Sequence, residues 1–136
     1  MSYASFSWPI RVYWEDTDGG GVVYHANYLR FLERARSEWL RSIGIGQEAL
    51  RRDQDVVFAV RSVQMDFLAP ARLDDELLAT VELTAVRGAS LGFRQALVRT
   101  DGTELLRATV RAACLTASTF RPRALPEGLF DNKNPQ

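Results

Sequence analysis

The residues best suited to chemistry lie together between positions 18 and 25. Asp18 is followed by three glycines, 19–21, and the segment ends at Tyr24 and His25. Three glycines allow positive φ angles and let the backbone approach a ligand closely. A helix is predicted to begin directly afterwards, and the first N–H groups of a helix are unpaired and carry partial positive charge. Such N–H groups can polarise a carbonyl, and a neighbouring carboxylate can act as base or nucleophile.

A structural interpretation of the same segment stays open. Acidic residues are common before a helix because they interact favourably with its dipole, and Asp18 would then have only that role. A lone histidine is also commonly structural, although the nearness of His25 to Asp18 and the glycines favours a catalytic role. Spacing alone does not choose between the two interpretations.

The scarcity of Cys, His and Lys excludes several kinds of site. The 136 residues include one cysteine (Cys114), one histidine and one lysine (Lys133). One cysteine and one histidine cannot form a four-ligand zinc site, and one cysteine cannot form a disulfide framework. A lysine in the polar tail fits neither Schiff-base chemistry nor a P-loop. We therefore expect no metal and no cofactor, and we expect Cys114 to pack in the core.

The run Gly88-Ala89-Ser90-Leu91-Gly92 matches the G-x-S-x-G pattern of serine hydrolases. In those enzymes the serine lies on a strand-to-helix turn, and the catalytic histidine follows it in the chain. Here strands are predicted on both sides of the run, and His25 precedes Ser90. We interpret the run as a hairpin turn, in which Arg87 and Ser90 are candidate phosphate contacts.

Arg121 and Arg123 flank Pro122 in a polar tail. Guanidinium groups suit phosphate, so a nucleotide-bearing substrate is one interpretation and a solvated tail is the other. The 17 cations balance the 17 anions. This zero net charge gives no sign of nucleic-acid binding, so any attraction for phosphate must come from a few placed arginines.

The best predicted helix spans residues 26–43 and ends before Gly44. Its apolar residues follow the i, i+3, i+4, i+7 pattern: Tyr28, Phe31, Leu32, Ala35 and Trp39. Its charged residues are expected on the solvated face: Glu33, Arg36, Glu38 and Arg41. A short amphipathic turn is predicted over 47–52.

The remaining elements are predicted strands. Aromatic and β-branched residues predict one strand over 6–14, before the helix. Four more are predicted after it, over 56–67, 76–87, 90–100 and 103–116. Asp101-Gly102 is a hairpin signal between the last two. The tail from about residue 121 is expected to extend over the surface.

This order predicts a single α+β domain over residues 1–136, with one helix packed on a five-stranded antiparallel sheet. One helix covers only part of such a sheet, and the sheet has open edges, so we expect a homodimer or a larger assembly. No run approaches the ~20 apolar residues of a membrane span, and the N-terminus lacks signal-peptide features. We expect a cytoplasmic protein without an integral membrane segment.

Beyond these patterns, the segments 11–18, 20–28 and 33–36 resemble a known family. They are similar to the hot-dog-fold acyl-CoA thioesterases of the 4-hydroxybenzoyl-CoA thioesterase type. The resemblance is closer to the acyl-CoA thioesterases encoded with the Tol–Pal cell-envelope system of Gram-negative bacteria. Shorter matches lie at 69–75, 87–91 and 122–126, so the resemblance covers about residues 6 to 127. Trp14 and Gly19 stand where relatives often carry Tyr and Ala.

The resemblance implies a long central helix wrapped by an antiparallel sheet. It implies dimers with active sites at the interface, commonly paired into tetramers, and hydrolysis of acyl-CoA thioesters without a metal or a serine nucleophile. The family's catalytic aspartate falls on Asp18, and the histidine of the Tol–Pal branch falls on His25. Backbone N–H groups around Tyr24 and His25 would bind the thioester oxygen.

The resemblance also implies where the substrate's CoA phosphates bind. The basic residues after the third strand and near the C-terminus point to Arg87 with Ser90, and to Arg121 and Arg123. Whether Asp18 is a nucleophile or a general base stays open. One alternative is a non-catalytic hot-dog module that binds acyl carrier protein or envelope-linked proteins. A second is a hot-dog dehydratase, whose His-Phe-Pro-type motif is missing here.

Overall fold

An antiparallel sheet dominates the computed structural model, which describes residues 5–130. Two α-helices cover it, α1 (Tyr28–Ser42) and α2 (Gln47–Gln54). The strands, in chain order, are β1 (Phe6–Arg11), β2 (Val56–Phe67), β3 (Glu76–Arg87), β4 (Ser90–Arg99), β5 (Glu104–Thr116) and β6 (Arg121–Pro122). They lie in the order β1-β3-β4-β5-β2, and the two-residue β6 pairs with β5. The fold-class prediction is confirmed: this is a hot-dog fold, with one short strand beyond the five predicted.

The predicted strands match closely except at the first. β2 and β3 have the predicted bounds, and β4 and β5 each differ by one residue. β1 ends at Arg11 rather than at Trp14. The reason is local, because Tyr13 N–H donates to the Asp16 carboxylate at 2.8 Å. That bond turns the chain into a short 3₁₀ helix, Trp14–Asp16.

The long helix starts later than predicted. A 3₁₀ turn, His25–Asn27, precedes α1, and Asn27 N–H donates to Tyr24 O at 2.8 Å. The predicted apolar stripe of α1 is buried against the sheet. The predicted turn after it is a full α-helix, α2. It ends at Gln54, and the next residue, Asp55, takes the left-handed conformation and accepts hydrogen bonds from Ser118.

The prediction that Arg36 lies on the solvated face is wrong. Arg36 is half-buried, and its Nη1 donates to Gln95 Oε1 at 2.9 Å. Gln95 is only 1% exposed, and its Nε2 donates to Leu32 O and Thr80 O. Burial lowers the pKa of the Arg36 guanidinium. The buried Gln95 amide therefore links α1 to β3 through hydrogen bonds. It also fixes the position of the Arg36 guanidinium.

The C-terminal tail is extended as far as residue 126 and then turns, and its last described residue is not on the surface. Beyond β6 the chain runs beside the β3–β4 turn, where Leu125 N–H donates to Gly88 O at 3.2 Å. Phe130 is then buried and stacks on Trp39 with ring centroids 5.8 Å apart. The tail thus covers the part of the hydrophobic core around Trp39 of α1. Among residues 5–130, no helix has the length and apolar character needed to cross a membrane.

Candidate active site

A tight loop carries Asp18. Thr17 and Val23 pair as an antiparallel bridge, and Asp18 N–H donates to Val22 O at 2.9 Å. Gly21 has a φ of 81°, a conformation that favours glycine. Gly20 N–H donates to Asp18 Oδ1 at 2.7 Å. The exposed carboxylate is therefore held at one oxygen, and no bond to Oδ2 is found within residues 5–130.

A buried pair of side chains fixes this loop against the helix start. Asp16 is 5% exposed, and its Oδ1 accepts a hydrogen bond from Asn27 Nδ2 at 2.8 Å. Its Oδ2 accepts the bond from Tyr13 N–H, and its backbone oxygen accepts one from Tyr24 N–H at 3.0 Å. Neither Asp16 nor Asn27 was predicted from the sequence as a functional residue. The three-residue spacing from Tyr13 to Asp16 suits a turn, but nothing in the sequence links Asp16 to a side chain eleven residues away.

The loop and the helix start face one open cleft of about 450 Å³. Asp18 and Tyr24 both line it, together with Asp16 and Asn27. Arg30, near the start of α1, is the only cation lining this cleft within residues 5–130. The structure therefore brings Asp18 and Tyr24 to the same cleft.

His25 lies beside this cleft but does not line it. Its exposed ring packs on the ring of Tyr24, with centroids 4.5 Å apart and planes tilted by 47°. Tyr24 N–H is engaged by Asp16 O, so it is not available as a donor in this arrangement. The N–H groups of His25 and Ala26 are the first of the 3₁₀ turn and have no acceptor within that turn. They are the donors that this site can offer to a carbonyl oxygen.

The predicted phosphate ligands all lie at one end of the sheet: Arg87, Ser90, Arg121 and Arg123. Arg87 pairs with Ser90 across the two-residue turn between β3 and β4, so the hairpin interpretation of the G-x-S-x-G run is confirmed. The bond from Leu125 N–H to Gly88 O holds the arginine-bearing tail beside that turn. We call this group the basic end.

Asp18 lies at the opposite end of the sheet from the basic end. Its loop bridges to Arg72, and Val23 N–H donates to Ala71 O at 2.8 Å, just before β3 begins. β3 has 12 residues and finishes at Arg87. At about 3.4 Å per residue it spans roughly 40 Å. One chain therefore holds its carboxylate and its phosphate-binding candidates far apart.

Comparisons with known proteins place the chain in a family. The model of the thioesterase superfamily matches residues 20–106, a stretch that begins two residues after Asp18 and includes Gly20, Gly21 and the whole of α1 and β3. The chain belongs to the thioesterase superfamily. The resemblance noted from the sequence is thereby confirmed at the level of the family.

The thioesterase chain has close relatives along nearly all its length. It is 47% identical over 129 residues to the acyl-CoA thioester hydrolase YbgC of Escherichia coli O6:H1, covering 95% of this chain and 96% of that protein. The crystal structure of a probable thioesterase from Bartonella henselae superposes with a TM-score of 0.85 at 35% identity, covering 90% of this chain and 100% of that one. A 4-hydroxybenzoyl-CoA thioesterase variant in complex with 4-hydroxybenzoyl-CoA superposes with a TM-score of 0.85 at 22% identity, covering 93% and 96%, and shows the fold alone.

The thioesterase's single cysteine is buried in β5. Burial raises the pKa of the Cys114 thiol. A thiol that resists ionisation is a poor nucleophile. Within the described part of the chain, no three His, Cys, Asp or Glu side chains are grouped as metal ligands.

Proposed function

We propose that this thioesterase is an acyl-CoA thioester hydrolase, which cleaves acyl-CoA to a free acid and CoA. The observation that carries the proposal is the Asp18 carboxylate, held at Oδ1 by Gly20 N–H, in the cleft at the start of the 3₁₀ turn. The relationship to the YbgC acyl-CoA thioester hydrolase of Escherichia coli supports the substrate class. The proposal includes no metal and no cofactor, and CoA enters as part of the substrate.

In the proposed mechanism the N–H groups of His25 and Ala26 polarise the thioester carbonyl. Asp18 Oδ2 then either attacks the carbonyl carbon or takes a proton from a water that attacks it. Attack by Asp18 expels the CoA thiolate and leaves a mixed anhydride, which water hydrolyses. His25 orients that water or returns a proton to the thiolate. Tyr24 acts through its backbone, because its N–H bond to Asp16 O fixes the turn that carries the donors.

Hydrolysis of acyl-CoA by the purified protein tests the function, with release of the CoA thiol followed by a thiol reagent. A single turnover in ¹⁸O-water then tests the nucleophilic route. Label incorporated into Asp18 establishes the anhydride, whereas label found only in the acid product shows that water attacks the acyl carbon. Release of no thiol from any acyl-CoA, from short to long and aromatic, would overturn the proposal. Formation of an enoyl product from a 3-hydroxyacyl-CoA would instead indicate a dehydratase.

We propose that the working unit is a homodimer joined along β2. β1 and β2 are the two edges of the main sheet, and β1 carries Pro9, a residue that disfavours strand pairing. β2 has 12 residues and no proline, and Val60 and Phe67 leave large apolar surfaces exposed on it. Pairing of β2 of one protomer with β2 of its partner would continue the sheet across the dimer and cover that surface.

A two-fold axis makes the two β2 strands antiparallel and completes the site. Phe67, at one end of β2, packs on Tyr28 near the Asp18 loop, with ring centroids 5.7 Å apart. Val56, at the other end, pairs with Thr116, which pairs with Arg121 of the basic end. Antiparallel pairing therefore brings the Asp18 end of one protomer to the basic end of its partner, where CoA phosphates would bind. Pairing of such dimers into tetramers is the further assembly we propose.

Mixed dimers test this shared site. Asp18→Asn and the double variant Arg87→Ala/Arg121→Ala are each expected to be poorly active with CoA substrates. Unfolding and refolding them together creates heterodimers that keep one intact site, so part of the activity returns. A mixture no more active than its components would show that each chain carries its own complete site. The matched control mixes Asp18→Asn with Arg41→Ala, whose exposed side chain lies on α1.

We also propose that the enzyme works in the cytoplasm with the Tol–Pal system as its genetic context, as the sequence resemblance implies. The alternative function is a non-catalytic module that binds acyl carrier protein, for which the exposed Arg87 and Arg121 are suitable contacts. A chain that binds acyl carrier protein in gel filtration but hydrolyses no thioester would favour this alternative.

A further inference from the structure

Phe120 is an exposed aromatic residue in a strained backbone conformation, directly before the arginine that opens β6. Its φ is 59°, and among residues 5–130 it is the only large apolar residue with a positive φ. Bulky side chains rarely adopt this conformation. Phe120 is also 65% exposed, so burial within the chain does not offset the strain. Strained residues are concentrated at functional sites, which points to a ligand for this ring.

We infer that the ring of Phe120 stacks on the adenine base of CoA. The inference rests on the proposed function and adds a reason for the enzyme to prefer CoA to acyl carrier protein as the carrier of the acyl group.

The turn that carries Phe120 is held by hydrogen bonds at both ends. Phe120 N–H donates to Thr116 O at 2.7 Å, and Ala117 N–H donates to Asp55 O at 2.9 Å. The Asp55 carboxylate also accepts from the backbone N–H and the hydroxyl of Ser118. β6 begins at the next residue after Phe120 and pairs with β5. The ring is therefore presented to solvent from a fixed backbone, which reduces the entropy lost when a ligand binds.

Two guanidinium groups near Phe120 suit the phosphates of CoA. Arg121 and Arg87 are both exposed, and no hydrogen bond of either guanidinium is found within residues 5–130. Arg123 differs, because its Nη1 donates to Gln54 O at 3.3 Å. In CoA one ribose carries the adenine, the 3′-phosphate and the 5′-diphosphate. Since neighbouring Cα atoms are only about 3.8 Å apart, a nucleotide with phosphates on Arg121 has its base within reach of Phe120.

Phe120 lies away from the edge that joins the proposed dimer. Leu115 and Thr116 of β5 pair with β2 on one side and with β6 on the other. The joining edge is β2, so β6 is two strands away from it. A base stacked on Phe120 therefore does not compete with pairing of the two protomers.

Stacking on this ring distinguishes the two carriers of acyl groups. Adenine has a flat π face, and stacking of a base on an aromatic side chain strengthens binding by about 5- to 150-fold. Acyl carrier protein holds its acyl group on 4′-phosphopantetheine, which has no adenine. Arginines alone would accept phosphate from either carrier. Phe120 therefore adds affinity only for CoA.

Calorimetric titration with two thioethers that cannot be hydrolysed tests the inference: S-hexyl-CoA and S-hexyl-4′-phosphopantetheine. Phe120→Asn removes the ring and suits the left-handed backbone, so the variant should fold as the wild type does. We expect its Kd for S-hexyl-CoA to rise at least about fivefold, and its Kd for S-hexyl-4′-phosphopantetheine to stay unchanged. Phe120→Trp keeps an aromatic face and should bind S-hexyl-CoA at least as tightly as the wild type. Phe120→Leu is the matched control, because leucine keeps an apolar side chain and the same backbone strain without a π face, and it should lose affinity as Phe120→Asn does.

Each outcome decides the inference. Losses in Phe120→Asn and Phe120→Leu that are confined to S-hexyl-CoA, with affinity kept in Phe120→Trp, support it. Equal losses for both thioethers would show that the ring only shapes the turn before Arg121, and they overturn it. An unchanged Kd in Phe120→Asn, or full affinity in Phe120→Leu, overturns it as well. Should Phe120→Asn fail to fold, the comparison of Phe120→Leu with Phe120→Trp decides in the same way. Binding that depends on Phe120 without any thioester hydrolysis would overturn the proposed function alone.

Discussion

The buried pair Asp16–Asn27 should hold the catalytic loop, and exchanging its two residues tests this. Asp16 accepts from two donors, Tyr13 N–H and Asn27 Nδ2, both at 2.8 Å. Asp16→Asn replaces one accepting oxygen by an NH₂ group, so one donor must face another donor. Loss of a charge-assisted bond at a buried site costs about 2–3 kcal/mol. Because Asp16 and Asn27 are only 5% and 9% exposed, water offers little compensation.

The reciprocal double variant, Asp16→Asn/Asn27→Asp, restores the pairing. Asn at position 16 then accepts from Tyr13 N–H through its oxygen and donates to the new carboxylate at position 27. Urea unfolding of the wild type, both single variants and the double variant gives the coupling free energy. We expect the free energy of unfolding of the double variant to be at least about 2 kcal/mol higher than the value obtained by adding the losses of the two single variants. Additive losses would refute the assigned role of this pair.

Three further predictions concern the loop, the helix start and the core. Gly21→Ala, at φ 81°, should lower the free energy of unfolding by about 1 kcal/mol and impair hydrolysis, whereas Gly19→Ala, with open space around it, should do neither. Tyr28→Phe leaves the buried Ala71 N–H without its acceptor and should cost about 1–2 kcal/mol in urea unfolding. Because folding raises the pKa of Cys114, its stabilising contribution is complete below the unfolded pKa of about 8.5 and is lost as pH rises through the folded value. Unfolding free energies measured from pH 7 to 10 should therefore decline less in Cys114→Ala, and equal declines would contradict this.

Much of the fold was predictable because its elements follow regular patterns. The stripe of α1 and the bounds of β2 and β3 follow from periodicity, which local sequence carries. Arg36 broke the pattern because a single distant residue, Gln95, supplies an acceptor inside the core. That partner is 59 residues away, and no local rule links the two.

The site was predictable in part. The sequence pointed to Asp18 because Asp18 directly precedes three glycines and a predicted helix start, and Gly21 does take a positive φ. The residues that position the loop were not predictable. In the sequence Asp16 is one of several acidic residues in a loop, and its burial depends on the tertiary fold. The distance between Asp18 and the basic end could not be predicted from the sequence either, because it depends on the direction in which β3 runs.

Asp18→Asn is the most direct test of whether the Asp18 carboxylate carries out thioester hydrolysis. Asn keeps an oxygen for the bond from Gly20 N–H, and the side chain is exposed, so urea unfolding should match the wild type. We expect a kcat for acyl-CoA hydrolysis at least ~100-fold below that of the wild type, the usual contribution of a positioned base or nucleophile. A folded Asp18→Asn enzyme with a kcat close to the wild-type value would contradict it.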